Sequence, residues 1–182
     1  LCNRNAFSIF DGRNPLSHVK LHFILHYFAM VLKKMPNGCV SFRRESLNSE
    51  ALPDWENEDT LVLAVACDGS IEDSPGCLQV DFANEYIGGG VLNSGAVQEE
   101  IRFLICPEMM VSCLLCEKMG PHEVIHIVGA QRYSSYFGYG WWISDPCPVA
   151  TGNWGCGVFG GDKELKSLCS IFLCPILSIT HE

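Results

Sequence analysis

The residues best suited to chemistry are two adjacent glutamates, Glu99 and Glu100, which follow a run of three glycines, Gly88–Gly90. Asp81 and Asn84 lie before the glycines, in and just after the strand-like run LQVDFA. Glycine permits positive φ and a close backbone approach to a ligand. A strand, a loop and a helix start are therefore predicted to bring these acidic and amide groups together. Carboxylates beside bare backbone suit acid–base chemistry on sugars and phosphates.

The Glu99–Glu100 pair has an ordinary structural interpretation as well. Acidic residues are favoured in the first turn of a helix, and Asn93 or Ser94 could cap the apolar run IRFLI that follows. Neighbours on a regular helix point about 100° apart, so both glutamates can face one ligand only at an irregular helix start. The preceding GGG and DFAN favour a functional pair. These considerations do not choose which glutamate would act as the acid.

Two later stretches could contribute to a binding site. The segment QRYSSYFGYG, residues 131–140, has tyrosines every three residues that could stack on a base or simply pack over the core. The segment ATGNWGCGVFGGD, residues 150–162, has five glycines between Gly152 and Asp162. Its backbone N–H groups could cradle a diphosphate, or the stretch could be a structural turn. Cys156 has no neighbouring histidine in the sequence to activate it as a nucleophile.

The GGG-x7-QEE pattern with VDFAN ahead of it resembles the motif of poly(ADP-ribose) glycohydrolases. The two later stretches occur in the order found in that family, and a weaker similarity extends from Lys20–Phe42 to about Leu168. The resemblance implies an α/β fold, a macrodomain-like three-layer α/β/α sandwich with a mixed sheet. It implies hydrolysis of ribose–ribose O-glycosidic bonds of poly(ADP-ribose), releasing ADP-ribose, without a cofactor or metal. A catalytically dead ADP-ribose-binding module and a non-functional fragment are the alternatives.

The resemblance also assigns roles to residues. It implies that Glu100 protonates the departing oxygen and then activates water, while Glu99 and Asp81 complete the catalytic group and help to hold the ribose hydroxyls. The substrate-binding residues that it implies are Glu72, Asn84, Gly88, Gly89, Gly90, Gln98, Tyr133, Tyr136, Asn153, Gly155, Gly157 and Phe159.

The chain also departs from the family. Nine residues separate Tyr139 from Val149, where the family has a long segment, and the similarity stops after about Leu168. We therefore expect an incomplete scaffold, with residues 1–59 forming an N-terminal helix and connecting loop and residues 60–182 forming a partial catalytic domain. We expect the isolated chain to be poorly soluble or partly unfolded, with little or no glycohydrolase activity.

Composition limits the possible partners. The 182 residues are 48% hydrophobic and 18% charged, which is typical of a globular domain, and the formal net charge is −9. An acidic chain is not suited to general binding of nucleic acid or anionic membranes. A polyanionic substrate would have to be held by backbone amides. The expected partner is protein-attached poly(ADP-ribose), and we expect a monomer in the nucleus or cytoplasm.

Hydrophobic spacing predicts the elements that position these residues. A helix is predicted over residues 16–35, with a core face of Leu21, Ile24, Leu25, Phe28 and Val31 or Leu32, and Pro36–Gly38 should end it. Further elements are a loop over 43–59, strands at 61–67, 78–83 and 124–130, and helices starting near 98, 107 and 163. Two groups are interpreted as something other than metal ligands. The histidines His18, His22 and His26 are expected at the surface, and the cysteines Cys113 and Cys116 are expected to pack in a helix.

Overall fold

The computed structural model describes residues 8–10, 16–47, 69–74, 76–135, 149–150 and 160–162. In chain order, its helices and strands are α1 (Ser17–Lys33), β1 (Ser41–Ser46), β2 (Leu78–Gln79), α2 (Gln98–Ile105), α3 (Ser112–Leu115), β3 (Glu123–Val128) and β4 (Val149–Ala150). Short 3-10 turns occupy Ser8–Phe10, Ile71–Asp73 and Pro107–Val111. The chain forms two compact units, residues 1–49 with 83–137 and residues 50–82 with 138–182. The predicted strand at 61–67 and the predicted helix from 163 lie outside the described residues.

Helix α1 of the first unit has the predicted extent, but its predicted core face is only partly buried, with Leu21, Ile24 and Val31 half-buried. It ends at Lys33, just before the Pro36–Gly38 stop. Leu25 and Phe28 are exposed, and Leu32 is 87% exposed. The fully buried residues are instead Ser17 and Lys20. The prediction followed apolar residues alone and therefore missed a face that is rotated to bury a lysine.

The core of the first unit is built around α2. Phe103 and Ile105 are completely buried, and Ile87 and Val91 of the glycine-rich loop pack in the same cluster. Phe23 of α1 packs against this cluster from outside. Each fully buried side chain of this size contributes roughly 1.5–3 kcal/mol. The glycine-rich loop is therefore attached to the core by its own apolar residues.

The helical run predicted from Pro107 divides into two short pieces. Pro107 opens a 3-10 turn that passes directly into α3, and α3 ends at Leu115. Proline suits the first turn of a helix because its missing N–H would have no intrahelical partner there. The prediction is confirmed for residues 107–115, whereas Cys116, the residue after α3, has extended backbone angles.

Strand β1 corrects the prediction that residues 43–59 form a connecting loop. Residues 41–46 pair antiparallel with β3, from Ser41 opposite Val128 to Ser46 opposite Glu123. The residues of β1 are polar and largely exposed. Ion pairs hold its charged side chains, including one across the strands from Arg44 Nη1 to Glu123 Oε2 at 2.5 Å. Such a strand lacks the apolar alternation on which sequence prediction depends.

The second unit contains a parallel pair of strands. Leu78 lies opposite Val149 and Gln79 opposite Ala150. In this pair β2 is shorter than the predicted run LQVDFA, and β4 was not predicted. Parallel strands carry their carboxyl ends to one edge, where α/β sheets bind ligands. Asp81 follows β2 in the sequence, and the second glycine-rich stretch follows β4.

Helices, one antiparallel pair and one parallel pair agree with the predicted mixed α/β class. Among the residues that the structure describes, no helix is long and apolar enough to cross a membrane.

Candidate active site

The start of helix α2 is organised by Glu100. The N-cap residue is Val97, in an extended conformation, and its side chain makes no capping hydrogen bond. Glu100 reaches back instead, and its Oε2 accepts the backbone N–H of Val97 at 2.9 Å. Its Oε1 accepts the N–H of Gly90 at 2.8 Å. A glutamate at this third helical position commonly satisfies the N-cap N–H, so the predicted cap at Asn93 or Ser94 is replaced by Glu100.

Glu99 makes an equivalent connection to the other arm of the loop. Its Oε1 accepts the N–H of Gly88 at 2.7 Å, and its Oε2 accepts the N–H of Asn84 at 2.9 Å. Glu99 is 3% exposed and Glu100 is 5% exposed. Hydrogen bonds from backbone N–H groups offset the cost of burying a carboxylate. The two glutamates therefore join the helix start to both arms of the glycine-rich loop.

Gly89 shows that the two carboxylates converge on one place. A Cβ added to Gly89 would lie 2.6 Å from Oε1 of Glu100 and 2.7 Å from Oε2 of Glu99. Gly89 also has φ of +50°, in the left-handed region that favours glycine. Two residues that point about 100° apart on a helix thus reach the same glycine because the loop wraps around the first turn. Of the four residues predicted to converge, Asp81, Asn84, Glu99 and Glu100, the last three come together in the first unit.

Close backbone contact extends to the end of the loop. A Cβ on Gly95 would lie 2.5 Å from Oε1 of Glu100, and one on Gly90 would lie 2.9 Å from Cα of Gly95. The N–H of Gly95 donates to the carbonyl of Gly90 at 3.1 Å. Larger residues at these positions would displace the carboxylate of Glu100 or separate the two arms of the loop.

Lys20 is a site residue that sequence reasoning missed. It is 1% exposed, and its Nζ donates to the carbonyls of Gly90 and Val91 at 2.9 Å each, Asn93 at 2.7 Å, and Gly95. Burial lowers the pKa of Lys20, while the negative charge of Glu100 acts in the opposite direction. The available sequence signal was a lysine three residues before Phe23 in an apolar helix.

The outer part of the loop is anchored to the segment after α3. The side-chain Oδ1 of Asn84 accepts the N–H of Tyr86 at 3.0 Å, which forms a local turn. The carbonyl of Glu85 accepts the N–H of Met119 at 2.7 Å, and its carboxylate pairs with Lys118 at 3.0 Å. The ion pair is exposed and contributes little, so the backbone contact is the main anchor.

Tyr133, predicted to bind substrate, is held from two sides in the first unit. Its hydroxyl donates to Oε1 of Glu108 at 2.7 Å, and its ring packs edge-on against Tyr27 with centroids 4.7 Å apart. Burial, and next the adjacent carboxylate of Glu108, raises the pKa of Tyr133. Its N–H donates to the carbonyl of Ile105 at 2.9 Å, which places this residue beside the end of α2.

The remaining predicted residues are distributed over the chain. Gln98 opens α2, whereas Asp81 and Glu72 belong to the second unit, Asp81 two residues after β2 and Glu72 in the turn Ile71–Asp73. Tyr136, Asn153, Gly155, Gly157 and Phe159 lie outside the described residues. Their assignment to the substrate site stays a prediction.

The histidine stripe and the cysteine pair of the sequence analysis both lie in the first unit. Within the described part of the chain, the His, Cys, Asp and Glu residues form no group that could hold an ion. His18, His22 and His26 are exposed along α1. A Cβ added to Gly88 would clash with the Cys113 sulfur. Burial raises the pKa of this thiol to about 11, with a further contribution from Glu99. Cys113 therefore packs as a neutral thiol behind the loop.

In a mixed α/β fold, two buried glutamates that converge on a glycine-rich loop offer the paired carboxylates that acid–base hydrolysis of a glycosidic bond requires. The family model for the catalytic region described as "Poly (ADP-ribose) glycohydrolase (PARG), Macro domain fold" matches residues 52–145 and 143–177. The chain belongs to the poly(ADP-ribose) glycohydrolase family, whose fold is the macro domain fold. The two matched segments meet near residues 143–145, between Tyr139 and Val149.

Similar curated proteins carry the same family name. Poly(ADP-ribose) glycohydrolase 1 of Caenorhabditis elegans is 50% identical over 133 residues, 66% of this chain and 16% of that protein. Poly(ADP-ribose) glycohydrolase 1 of Arabidopsis thaliana is 45% identical over 135 residues, which are 72% of this chain and 25% of that protein. Poly(ADP-ribose) glycohydrolase 2 of Caenorhabditis elegans is 47% identical over 124 residues, which are 66% of this chain and 26% of that protein. The matched region therefore spans about a sixth to a quarter of the length of these relatives.

Proposed function

We propose that this chain carries the catalytic glutamates of a poly(ADP-ribose) glycohydrolase and hydrolyses ribose–ribose O-glycosidic bonds to release ADP-ribose. The observation that carries the proposal is the convergence of the Glu99 and Glu100 carboxylates on Gly89. Hydrolysis of a glycosidic bond needs a proton for the departing oxygen and stabilisation of an oxocarbenium-like centre. Two neighbouring carboxylates, one protonated and one ionised, meet both needs.

Glu100 is the proposed acid. A protonated carboxyl group keeps acceptor capacity beside its new O–H donor, so Glu100 can hold backbone N–H groups and still present a proton. Once the proton passes to the departing oxygen, the N–H groups of Gly90 and Val97 stabilise the carboxylate that remains. That carboxylate then serves as the base for the incoming water.

Glu99 is proposed to remain ionised and to hold a ribose hydroxyl group. The N–H groups of Gly88 and Asn84 hold its two oxygens in place, one donor on each oxygen. Asp81 is proposed to assist in holding the ribose, and the backbone of the second glycine-rich stretch is proposed to bind the diphosphate. A net charge of −9 leaves backbone amides as the better phosphate ligands.

A second candidate function is binding of ADP-ribose without hydrolysis. The observation in its favour is that Glu99 and Glu100 are both almost fully buried and each accepts two backbone N–H groups, as carboxylates with a purely structural role would. The two functions differ in whether free ADP-ribose is released from the polymer.

The deciding experiment incubates the purified chain with radiolabelled poly(ADP-ribose) and separates free ADP-ribose by chromatography. Release that rises with time and enzyme concentration supports hydrolysis. Retention of intact polymer with measurable ADP-ribose binding by calorimetry supports the binding module. If the chain neither released ADP-ribose nor bound it, both functions would be contradicted.

A further inference from the structure

Lys20 connects helix α1 to the glycine-rich loop through contacts that span more than 70 residues of sequence. We infer that Lys20 is the positioning residue that holds residues 90–97 in the shape that delivers two N–H groups to Glu100. Its ammonium group touches neither the reacting atoms nor a substrate in this assignment. It acts through the backbone of the loop.

The first support is the number and origin of the acceptors. Four carbonyl oxygens, of Gly90, Val91, Asn93 and Gly95, converge on Nζ of Lys20. Carbonyl oxygens that point at one spot repel each other unless a cation lies between them. An ammonium group has three N–H donors, so four carbonyls use its full donor capacity, and two of them share one N–H. The loop conformation therefore depends on a positive charge at this spot.

The second support is the position of these carbonyls relative to the glutamate. Gly90 uses its carbonyl for Lys20 and its N–H for Glu100, so one residue joins the two charged side chains. Gly95 uses its carbonyl for Lys20, and a Cβ added to Gly95 would lie 2.5 Å from Oε1 of Glu100. Movement of either glycine would change the hydrogen bonds to Glu100. Lys20 is thus coupled to the proposed acid through two separate points of the loop.

The third support is the burial of Lys20. A lysine that is 1% exposed has given up its hydration, which is costly unless the protein supplies equivalent partners. Methionine would fill similar space on this helix without that cost, and cores accept volume-conserving apolar residues. The hydrogen bonds from Lys20 to the loop carbonyls explain why this buried position holds a lysine.

The test compares Lys20→Met with the control Lys33→Met, which changes an exposed lysine in the last turn of α1. Amide hydrogen exchange is measured residue by residue by NMR. In Lys20→Met we expect exchange at the N–H groups of Gly90 and Val97 to rise at least tenfold. Exchange at Phe103 and Ile105, inside α2, should change less than threefold. Unchanged exchange at Gly90 and Val97 would overturn the inference.

The catalytic consequence rests on the proposed function and is measured separately. In Lys20→Met we expect kcat for ADP-ribose release to fall at least tenfold, with KM within threefold, whereas Lys33→Met should match the unaltered protein. An unchanged kcat in a folded Lys20→Met would overturn the effect on Glu100. If the unaltered protein released no ADP-ribose, the proposed function would fail while the exchange data would still decide the role of Lys20.

A variant that keeps the charge covers the case in which Lys20→Met does not fold. Lys20→Arg retains the charge and several N–H donors. A folded Lys20→Arg with protected N–H groups at Gly90 and Val97 would support the positioning role. Failure of both variants to fold would show that Lys20 acts as a general packing residue, which overturns the inference.

Discussion

Glu100 accepts the N–H of Gly90 at 2.8 Å and so joins the first turn of α2 to a loop residue ten positions earlier. The same carboxylate satisfies the N-cap of its own helix. One side chain therefore caps the helix, shapes the loop and is the proposed proton donor. Substitutions here are expected to alter stability and catalysis together, and matched controls are needed to separate the two.

Replacing Glu100 by glutamine should abolish hydrolysis and lower stability. The amide cannot supply the proton, and its NH2 group would face one of the two backbone N–H donors. A buried donor left without an acceptor costs about 1–3 kcal/mol. We expect kcat to fall at least a hundredfold and urea denaturation to show a loss in that range.

The control for this variant is Glu123→Gln. Glu123 also accepts a backbone N–H, from Gly120 at 2.8 Å, but lies on β3 away from the loop. It should retain hydrolysis. Near-normal turnover of Glu100→Gln would show that another group donates the proton.

Adding a methyl group at Gly89 should disrupt the site more than the same change at another glycine of positive φ. In Gly89→Ala the Cβ would lie within 2.7 Å of both carboxylates, so one of them must move. Gly38→Ala is the matched control, since Gly38 has φ of +110° but no atom within 4 Å of an added Cβ. Backbone strain alone costs about 1–3 kcal/mol in either variant.

The measurement is kcat alongside thermal unfolding for both alanine variants. Gly89→Ala should lose at least tenfold in kcat, and Gly38→Ala should lose stability without loss of activity. Equal activity of the two variants would mean that the carboxylates do not need their positions around Gly89.

Cys113 should resist alkylation at pH values where an exposed cysteine reacts. Its pKa is raised from 9.0 to about 11, chiefly by burial, so the reactive thiolate is scarce near pH 8. A brief pulse of iodoacetamide with peptide mapping should label exposed Cys39 at least tenfold faster. Comparable labelling would show that the loop opens readily around Cys113.

The raised pKa also sets the direction of a pH effect on stability. The neutral thiol is favoured in the folded state, so its contribution is complete below pH 9.0 and is lost as pH rises through about 11. In Cys113→Ala this alkaline loss should be smaller than in the unaltered chain. Denaturation curves collected between pH 8 and 11 would measure the difference, and identical pH slopes would contradict it.

The exposed apolar residues of α1 should limit solubility. Leu25, Phe28 and Leu32 are exposed, and apolar surface of this kind promotes association. Replacing all three with glutamine should raise the soluble yield without lowering the melting temperature. Phe23→Gln is the contrast, because Phe23 packs on the core and its loss should destabilise the fold. A fall in melting temperature in the triple variant would show that this face is packed in solution.

Local chemistry in the sequence determined several elements correctly. Pro36–Gly38 cannot continue a helix, so α1 ends at Lys33, just before this stop. The acidic start and apolar body of QEEIRFLI specify α2, and β3 follows from its run of valine and isoleucine. The glycines and the two glutamates indicated the candidate site, which stays a prediction, because a close backbone approach and acid–base chemistry each need particular residue types.

Tertiary structure alone decided the roles that depend on distant partners. The burial of Lys20 requires carbonyls from residues more than 70 positions away, and no local pattern reports them. Strand β1 is polar and becomes a strand only by pairing with β3, and β4 needs β2 in the same way. Glu99 and Glu100 reach the same glycine because the loop folds around their helix turn. Sequence thus specified which groups are present, and long-range hydrogen bonding decided which of them meet.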